Sequence, residues 1–272
     1  MRKLPAALLL CACGGLEPAP PGPCLSVRRQ PARVVCPSRP QLTGPDVSSY
    51  SGAVDWSRVR AAGHALALAR VSDGLAVTDA RFAANWAGMR AAGLVRGAYQ
   101  HFRPGLSPLA QAEGFLAQVA AAGGFQPGDL PPVLDLEVTG GLAPAAMRAA
   151  VQTWLDAVEA ATGRPPLIYT AAFMEPALGP GFGRYPLWVA NHGVGCPLVP
   201  AGWRGWRLWQ YTSAGACPGL VGPADLNAFE GTVEELQAWA GGEGPGQDAP
   251  DAGPEVDDAD PGADDVQGRC SR

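Results

Sequence analysis

Six short apolar runs punctuate the middle of the chain: ALALARV (65–71), LVRGAY (94–99), PVLDLEV (132–138), PLIYT (166–170), PLWVA (186–190) and WRLWQY (206–211). Most are bounded by Gly or Pro, the punctuation of buried strands. Segments with a helical period lie between several of them. In residues 79–92, Phe82, Trp86 and Met89 recur at i, i+4 and i+7, and Gly93 is placed to stop the helix. Ser107 followed by Pro108 predicts an N-cap and a first helical position, with Gly123 and Gly124 ending that helix. Met147, Val151, Trp154, Leu155 and Val158 form the apolar stripe of a third, closed by Gly163. Thr232 and Glu235 have the spacing of a capping box for a last helix, TVEELQAWA. Strand then helix, repeated, predicts a largely parallel sheet with its helices outside. The later strands follow one another without a clear helix. An α/β barrel that starts as (β/α) units and finishes with plain strands fits both facts.

The two ends differ from this body. MRKLPAALLLCACGG has a basic pair at Arg2 and Lys3, then an apolar run too short to span a bilayer, then small residues. Its LCAC resembles the lipobox of bacterial lipoproteins, so residues 1–13 read as a signal segment and Cys13 as a lipidation candidate. That places the protein outside the cytoplasm, with a lipid anchor as its one link to a membrane; ordinary secretion and a misplaced start codon are the alternatives. Residues 14–40, rich in Pro and Arg without periodicity, read as a linker. Residues 241–272 hold nine acids against Arg269 and Arg272, so this tail contributes −7 to the formal charge of −5 and leaves +2 for the rest. It lacks aromatics and cannot bury enough surface to order itself. The folded body is expected over 41–240, and the tail's acidity says little about what that body binds. No basic run with interleaved aromatics appears, which argues against a nucleic-acid partner.

Seven cysteines suit an oxidising compartment. Once Cys11 and Cys13 go with the signal, spacing suggests Cys24 with Cys36 and Cys196 with Cys217, leaving Cys270 unpaired. His64, His101 and His192 are scattered and sit beside no cysteine at zinc spacing, so each reads as a hydrogen-bonded surface or core histidine. No metal and no cofactor is expected.

The chemistry centres on acids. Asp135 and Glu137 stand two positions apart in PVLDLEV, a spacing that points both to one face of a strand. Like charges that close push their pKa values apart, one way of making an acid and a base. GPDVSSYSG puts Asp46 at the end of the first strand-like segment, and ADLNAF puts Asp225 near the last. In (β/α) barrels reactive groups gather at the carboxyl ends of strands, so three strands are expected to bring four acids to one mouth. Tyr50, Tyr99, Tyr169, Trp188, Trp209 and Tyr211 at strand ends are candidates to line it. Acids with aromatic walls suit sugar rings, whose apolar faces stack while their hydroxyls bond to carboxylates.

From about residue 44 to 240 the chain resembles the glycoside hydrolase family 25 lysozymes, the N-acetylmuramidases that cut peptidoglycan. The resemblance rests on GPDVSSYSGAVDW, FAANWAGMRAAGLVRGAYQHFRP, PVLDLEV, GRPPLIYT, LWVANHG, WRLWQYTSAG and ADLNAF, in the family's order. It implies an irregular, TIM-like (β/α)5(β)3 barrel acting on peptidoglycan. It also implies Glu137 as proton donor, Asp135 stabilising the transition state or orienting the substrate's N-acetyl group, and Asp46 and Asp225 bonding substrate. The chain departs from the family at Asp73, where a glutamate is common, and at Gln100, where a histidine is frequent; both are expected to line or support the groove. Two other readings stay open, a peptidoglycan-binding pseudoenzyme and a metal-dependent hydrolase using the same acids. A monomer is the default for an enzyme working on an insoluble polymer.

Overall fold

The computed structural model describes residues 31–242. The signal segment with Cys13, the residues up to 30 including Cys24, and the acidic tail from 243 on lie outside the described residues.

Five strand-helix pairs come first in the barrel: β2 (Gln41–Val47) with α1 (Trp56–Ala61), β3 (Leu66–Asp73) with α2 (Phe82–Ala91), β5 (Val95–His101) with α3 (Pro108–Ala121), β6 (Val133–Asp135) with α4 (Pro144–Thr162), and β7 (Leu167–Thr170) with the single-turn α5 (Glu175–Leu178). Strands β8 (Leu187–Ala190), β10 (Leu208–Gly215) and β11 (Ala224–Glu230) complete the ring, and α6 (Val233–Gly241) follows. Three two-residue strands are accessory: β1 (Arg33–Val34), β4 (Val77–Thr78) and β9 (Leu198–Val199). The ring order is β2, β11, β10, β8, β7, β6, β5, β3, and a β2–β3 pairing closes it, with β4 appended to β3 as a hairpin. Every neighbour in the ring is parallel except β11, which runs against both β10 and β2. This is the (β/α)5(β)3 barrel that the resemblance implies, and it agrees with the strand pattern of (β/α) units followed by plain strands.

Closure depends on Gly44, because a Cβ there would sit 1.7 Å from the carbonyl oxygen of Leu66 on β3. No residue larger than glycine lets these two backbones approach.

Alternation along each strand builds two cores. Ala67, Ala69 and Val71 of β3, Leu134 and Leu136 around β6, and Ile168 of β7 pack outward against the helices. Leu66, Leu68, Val133, Leu167, Leu208 and Phe229 fill the barrel interior. Leu236 and Ala240 of α6 join this interior from below, and Trp239 stacks on Phe229 at 5.8 Å between centroids. The apolar stripes behave as their spacing predicts, with Phe82, Trp86, Met89, Met147, Val151, Trp154, Leu155 and Val158 all buried. The caps are local chemistry and also appear as read. Ser107 accepts from the backbone of Ala110, Thr232 and Glu235 form a reciprocal capping box, and Gly163 ends α4 in the left-handed region at φ 69°. Behind α2, the buried Arg96 forks onto Asp129 at 2.7 and 3.0 Å, donates to the Trp86 carbonyl at 2.8 Å, and stacks on the Trp86 ring.

The cysteine pairing differs from expectation. Cys36 is bonded to Cys196 across 160 positions of sequence, so neither Cys24–Cys36 nor Cys196–Cys217 forms, and Cys217 is a buried free thiol whose pKa burial pushes up. Sequence proximity misleads because β1 pairs antiparallel with β9, Arg33 opposite Val199, which carries Cys36 beside the loop holding Cys196. The Trp206 indole donates to the Val35 carbonyl at 3.0 Å and holds the same strap. Residues 33–36, expected within the linker, are thus tied to the body.

Candidate active site

At the carboxyl ends of the strands the inward positions change from apolar to polar. Leu68 is followed by Arg70 on β3, Val133 by Asp135 on β6, Leu167 by Tyr169 on β7, and Leu208 by Gln210 on β10. The polar member of each pair lines a cavity of about 270 Å³ together with Asp46, Tyr99, His101, Glu137, Trp188, His192 and Asp225. All four expected acids meet there. Asp225 arrives by a route the sequence does not show: β11 is antiparallel, so Asp225 lies at its start, directly across from Asp46 on β2. β6 ends at Asp135, and Glu137 stands two residues beyond it; both still turn to the same neighbour, His101.

Of the six aromatic candidates, Tyr99, Tyr169 and Trp188 line the cavity. Trp209 and Tyr211 do not. They flank Gln210, which points inward, so the pleat turns both rings outward, and the Trp209 indole bonds to the Asn191 carbonyl. Tyr50 stands on the rim, 89% exposed, with the Arg70 guanidinium 5.0 Å from its ring centroid. Asp73 does not face the cavity; it is clamped by Arg103 at 2.6 and 2.7 Å. Gln100 is buried between Ser72 and the Trp154 indole, so it supports β5 from outside the barrel.

Asp46 is 7% exposed, and one of its oxygens accepts from both Gln210, at 2.8 Å, and Asn227, at 2.9 Å. Gln210 in turn accepts from the Tyr169 hydroxyl and Asn227 from the Trp188 indole, each at 2.8 Å. His192 meets the same Gln210 oxygen at 2.8 Å. Two amides thereby tie the acid and the aromatic wall into one network. Burial, with the Asp225 charge adding to it, pushes the Asp46 carboxyl up to about 7, against the hydrogen bonds of Asn227 and Gln210. Folded Asp46 thus holds a proton that the unfolded chain releases above its ordinary value of 3.8, so its contribution to stability falls as pH rises from about 4 to 7. Asp46→Asn keeps an oxygen for both amides and does not titrate. Thermal melts are expected to show wild type losing stability relative to this variant across that window; a constant difference would contradict the assignment.

His101 joins the other two acids. Its Nδ1 lies 3.0 Å from Asp135 and 3.6 Å from Glu137. Burial would lower the imidazole, yet its hydrogen bonds to Asp135 and Glu137 raise it to about 10, so it is a cation at neutral pH. Burial raises Asp135 to about 7 despite the His101 bond. Glu137 is moved the other way in the free site. Its hydrogen bond to His101 holds it below the ordinary value of 4.5, and its side chain is 45% exposed. Burial also raises Asp225, partly offset by His192. One donor atom each from His101, Asp135 and Glu137 lie within 4.8 Å of one another, the one such group among the described residues. Sequence reading passed over His101, His192, Arg70, Gln210 and Asn227; the available signal was a polar residue at an inward position near a strand end.

Carboxylates from three strands at the mouth of a (β/α) barrel, walled by tyrosine and tryptophan, define a glycoside hydrolase. Comparison with known proteins narrows the class. The model of glycosyl hydrolases family 25 matches residues 45–220, and the chain belongs to that family. It is 36% identical to Lysozyme M1 of Streptomyces globisporus over 212 residues, 73% of this chain and 71% of that protein. It is 40% identical to the protein YegX of Escherichia coli (strain K12) over 212 residues, 76% of each. The crystal structure of the bacterial lysozyme from Streptomyces coelicolor matches with a TM-score of 0.70 and 34% identity, covering 74% of this chain and 98% of that one.

Proposed function

We propose that this protein is a muramidase that cleaves the β-1,4 bond between N-acetylmuramic acid and N-acetylglucosamine in peptidoglycan, with Glu137 as proton donor. The observation that carries the reading is the Asp135–His101–Glu137 cluster in a cavity walled by Tyr99, Tyr169 and Trp188. Glu137 is the exposed member, so a glycan laid over it removes its water and raises its pKa toward that of a working acid. Asp135 titrates near 7 within the same cluster and is a source of that proton. Asp135 then stabilises the oxocarbenium-like transition state or orients the substrate's N-acetyl group. Asp46 and Asp225 bond sugar hydroxyls across the mouth. A second reading exchanges the roles, with Asp135 as the acid; the raised Asp135 and lowered Glu137 favour it. The family and the Cys36–Cys196 bond support work outside the cytoplasm on the wall. No helix among the described residues is long and apolar enough to cross a membrane.

The test is release of muramic acid reducing ends from purified peptidoglycan. Pelleting on the wall without new reducing ends would make the protein a binding module. The stereochemistry adds a further check. Asp135 and Glu137 present oxygens within 4.8 Å of each other, whereas an inverting pair needs roughly 6.5–9.5 Å to admit a water. The first product anomer seen by NMR is expected to be β, and an initial α anomer would overturn the retaining assignment.

A further inference from the structure

Arg70 is the one Arg or Lys among the residues lining the acidic cavity. It reaches the mouth because β3 alternates Leu66, Leu68 and Arg70 inward. Its side chain is 11% exposed and fixed on one edge only, Nε to Asp79 at 3.1 Å and Nη2 to the Ser49 hydroxyl at 3.3 Å. Asp79 does not depend on Arg70 alone, since it also accepts from the backbone of Ser49 at 2.8 Å and of Arg81 at 3.0 Å. Nη1 makes no bond among the described residues. The guanidinium is therefore a held fork with one free prong, beside the exposed ring of Tyr50.

Four carboxylates in one mouth disfavour an anionic ligand. The strand of the proposed substrate alternates a neutral sugar with one bearing a lactyl carboxyl, and a fixed N–H pointed at that carboxyl is what a site needs to take the second sugar in register. We propose that Arg70 Nη1 binds the lactyl carboxylate of the N-acetylmuramyl unit and so distinguishes acidic from neutral glycan strands. This rests on the muramidase reading above. Tyr50, over which the same guanidinium lies, offers the ring face for that sugar. Where a stem peptide caps the carboxyl as an amide, Nη1 meets a neutral carbonyl and the bond weakens, so strands stripped of peptide are the preferred ligand.

The test measures affinity by calorimetry, in the inactive Glu137→Gln protein, for peptide-free glycan oligomers and for the same oligomers with their carboxyls methyl-esterified. A charge-assisted hydrogen bond corresponds to about 10- to 100-fold in affinity. Esterification is expected to weaken binding by that factor in the Arg70 protein and by less than about 3-fold after Arg70→Met, which itself loses the factor only for the acid ligand. Arg70→Lys, keeping charge without the fork, is expected to fall between. The esterified ligand probes the unaltered fold, so a folding defect in Arg70→Met does not decide the outcome. Equal binding of acid and ester by the Arg70 protein overturns the proposal, and so does an equal loss for both ligands in Arg70→Met. If the protein neither cuts peptidoglycan nor binds either oligomer, it is the muramidase reading that fails.

Discussion

Glu137→Gln is expected to lower the rate of peptidoglycan hydrolysis by roughly 10²- to 10⁴-fold, the range by which a positioned general acid accelerates bond cleavage. The glutamine keeps the size of the side chain and an oxygen for His101, which lies 3.6 Å from the carboxylate in the wild type, so binding to the wall should survive. The effect has a signature that separates the two assignments of the acid. A leaving group that departs without a proton, such as a nitrophenolate, makes the donor dispensable. If Glu137 is the donor, Glu137→Gln recovers most of its activity on such a glycoside and Asp135→Asn does not. If the roles are exchanged, the pattern reverses. Loss of lysis with both variants and recovery with neither would mean that the two carboxyls act as one unit with His101, and the separate assignments would fall.

The second large effect concerns stability. Arg96→Met is expected to cost about 3–5 kcal/mol, because it strands the Asp129 carboxylate where both partners are 4% exposed. The Trp86 carbonyl, inside α2, also loses the side-chain donor it has in Arg96 at 2.8 Å. Urea unfolding checks this as a lower midpoint with unchanged slope. Adding Asp129→Asn to the same chain removes the orphaned charge and should recover part of the loss. A loss below about 1 kcal/mol would show that water reaches Asp129 and that the pair is a surface ion pair in effect.

The elements that could be read from sequence are those fixed by neighbours in sequence. The Ser107–Pro108 start, the Thr232–Glu235 box and the stripe from Met147 to Val158 depend on contacts within four residues along a helix, and all three form. The strand count and the order of parallel pairs follow from the alternation of apolar runs with helices. The acids could be found because carboxylates at strand ends have few structural uses. Less could be read wherever distant strands decide. The direction of β11, and with it the approach of Asp225 to Asp46, depends on a pairing across the whole chain. The amides Gln210 and Asn227 look like ordinary strand residues until Asp46 is placed between them. His101 reads as an ordinary hydrogen-bonded histidine because its partners, Asp135 at the end of β6 and Glu137 just beyond it, are distant in sequence. Trp209 and Tyr211 are candidates as aromatics at a strand end, although the polar Gln210 between them, inside an apolar strand, is the better sign of which face looks inward.

The bond between Cys36 and Cys196 also decides how the molecule carries tension. A pull between the two ends of the described chain crosses directly from Cys36 to Cys196, and the 160 positions between them stay slack. At roughly 3.3–3.6 Å per residue this withholds about 500–600 Å of chain from extension. Strands β2 to β8, with Asp46, Asp135 and Glu137, lie inside that shielded loop, while β9, β10, β11 and α6 bear the load. Stretched under oxidising conditions, the protein would shed its last strands first, keeping Asp135 and Glu137 in place while the Asp225 side of the mouth gives way.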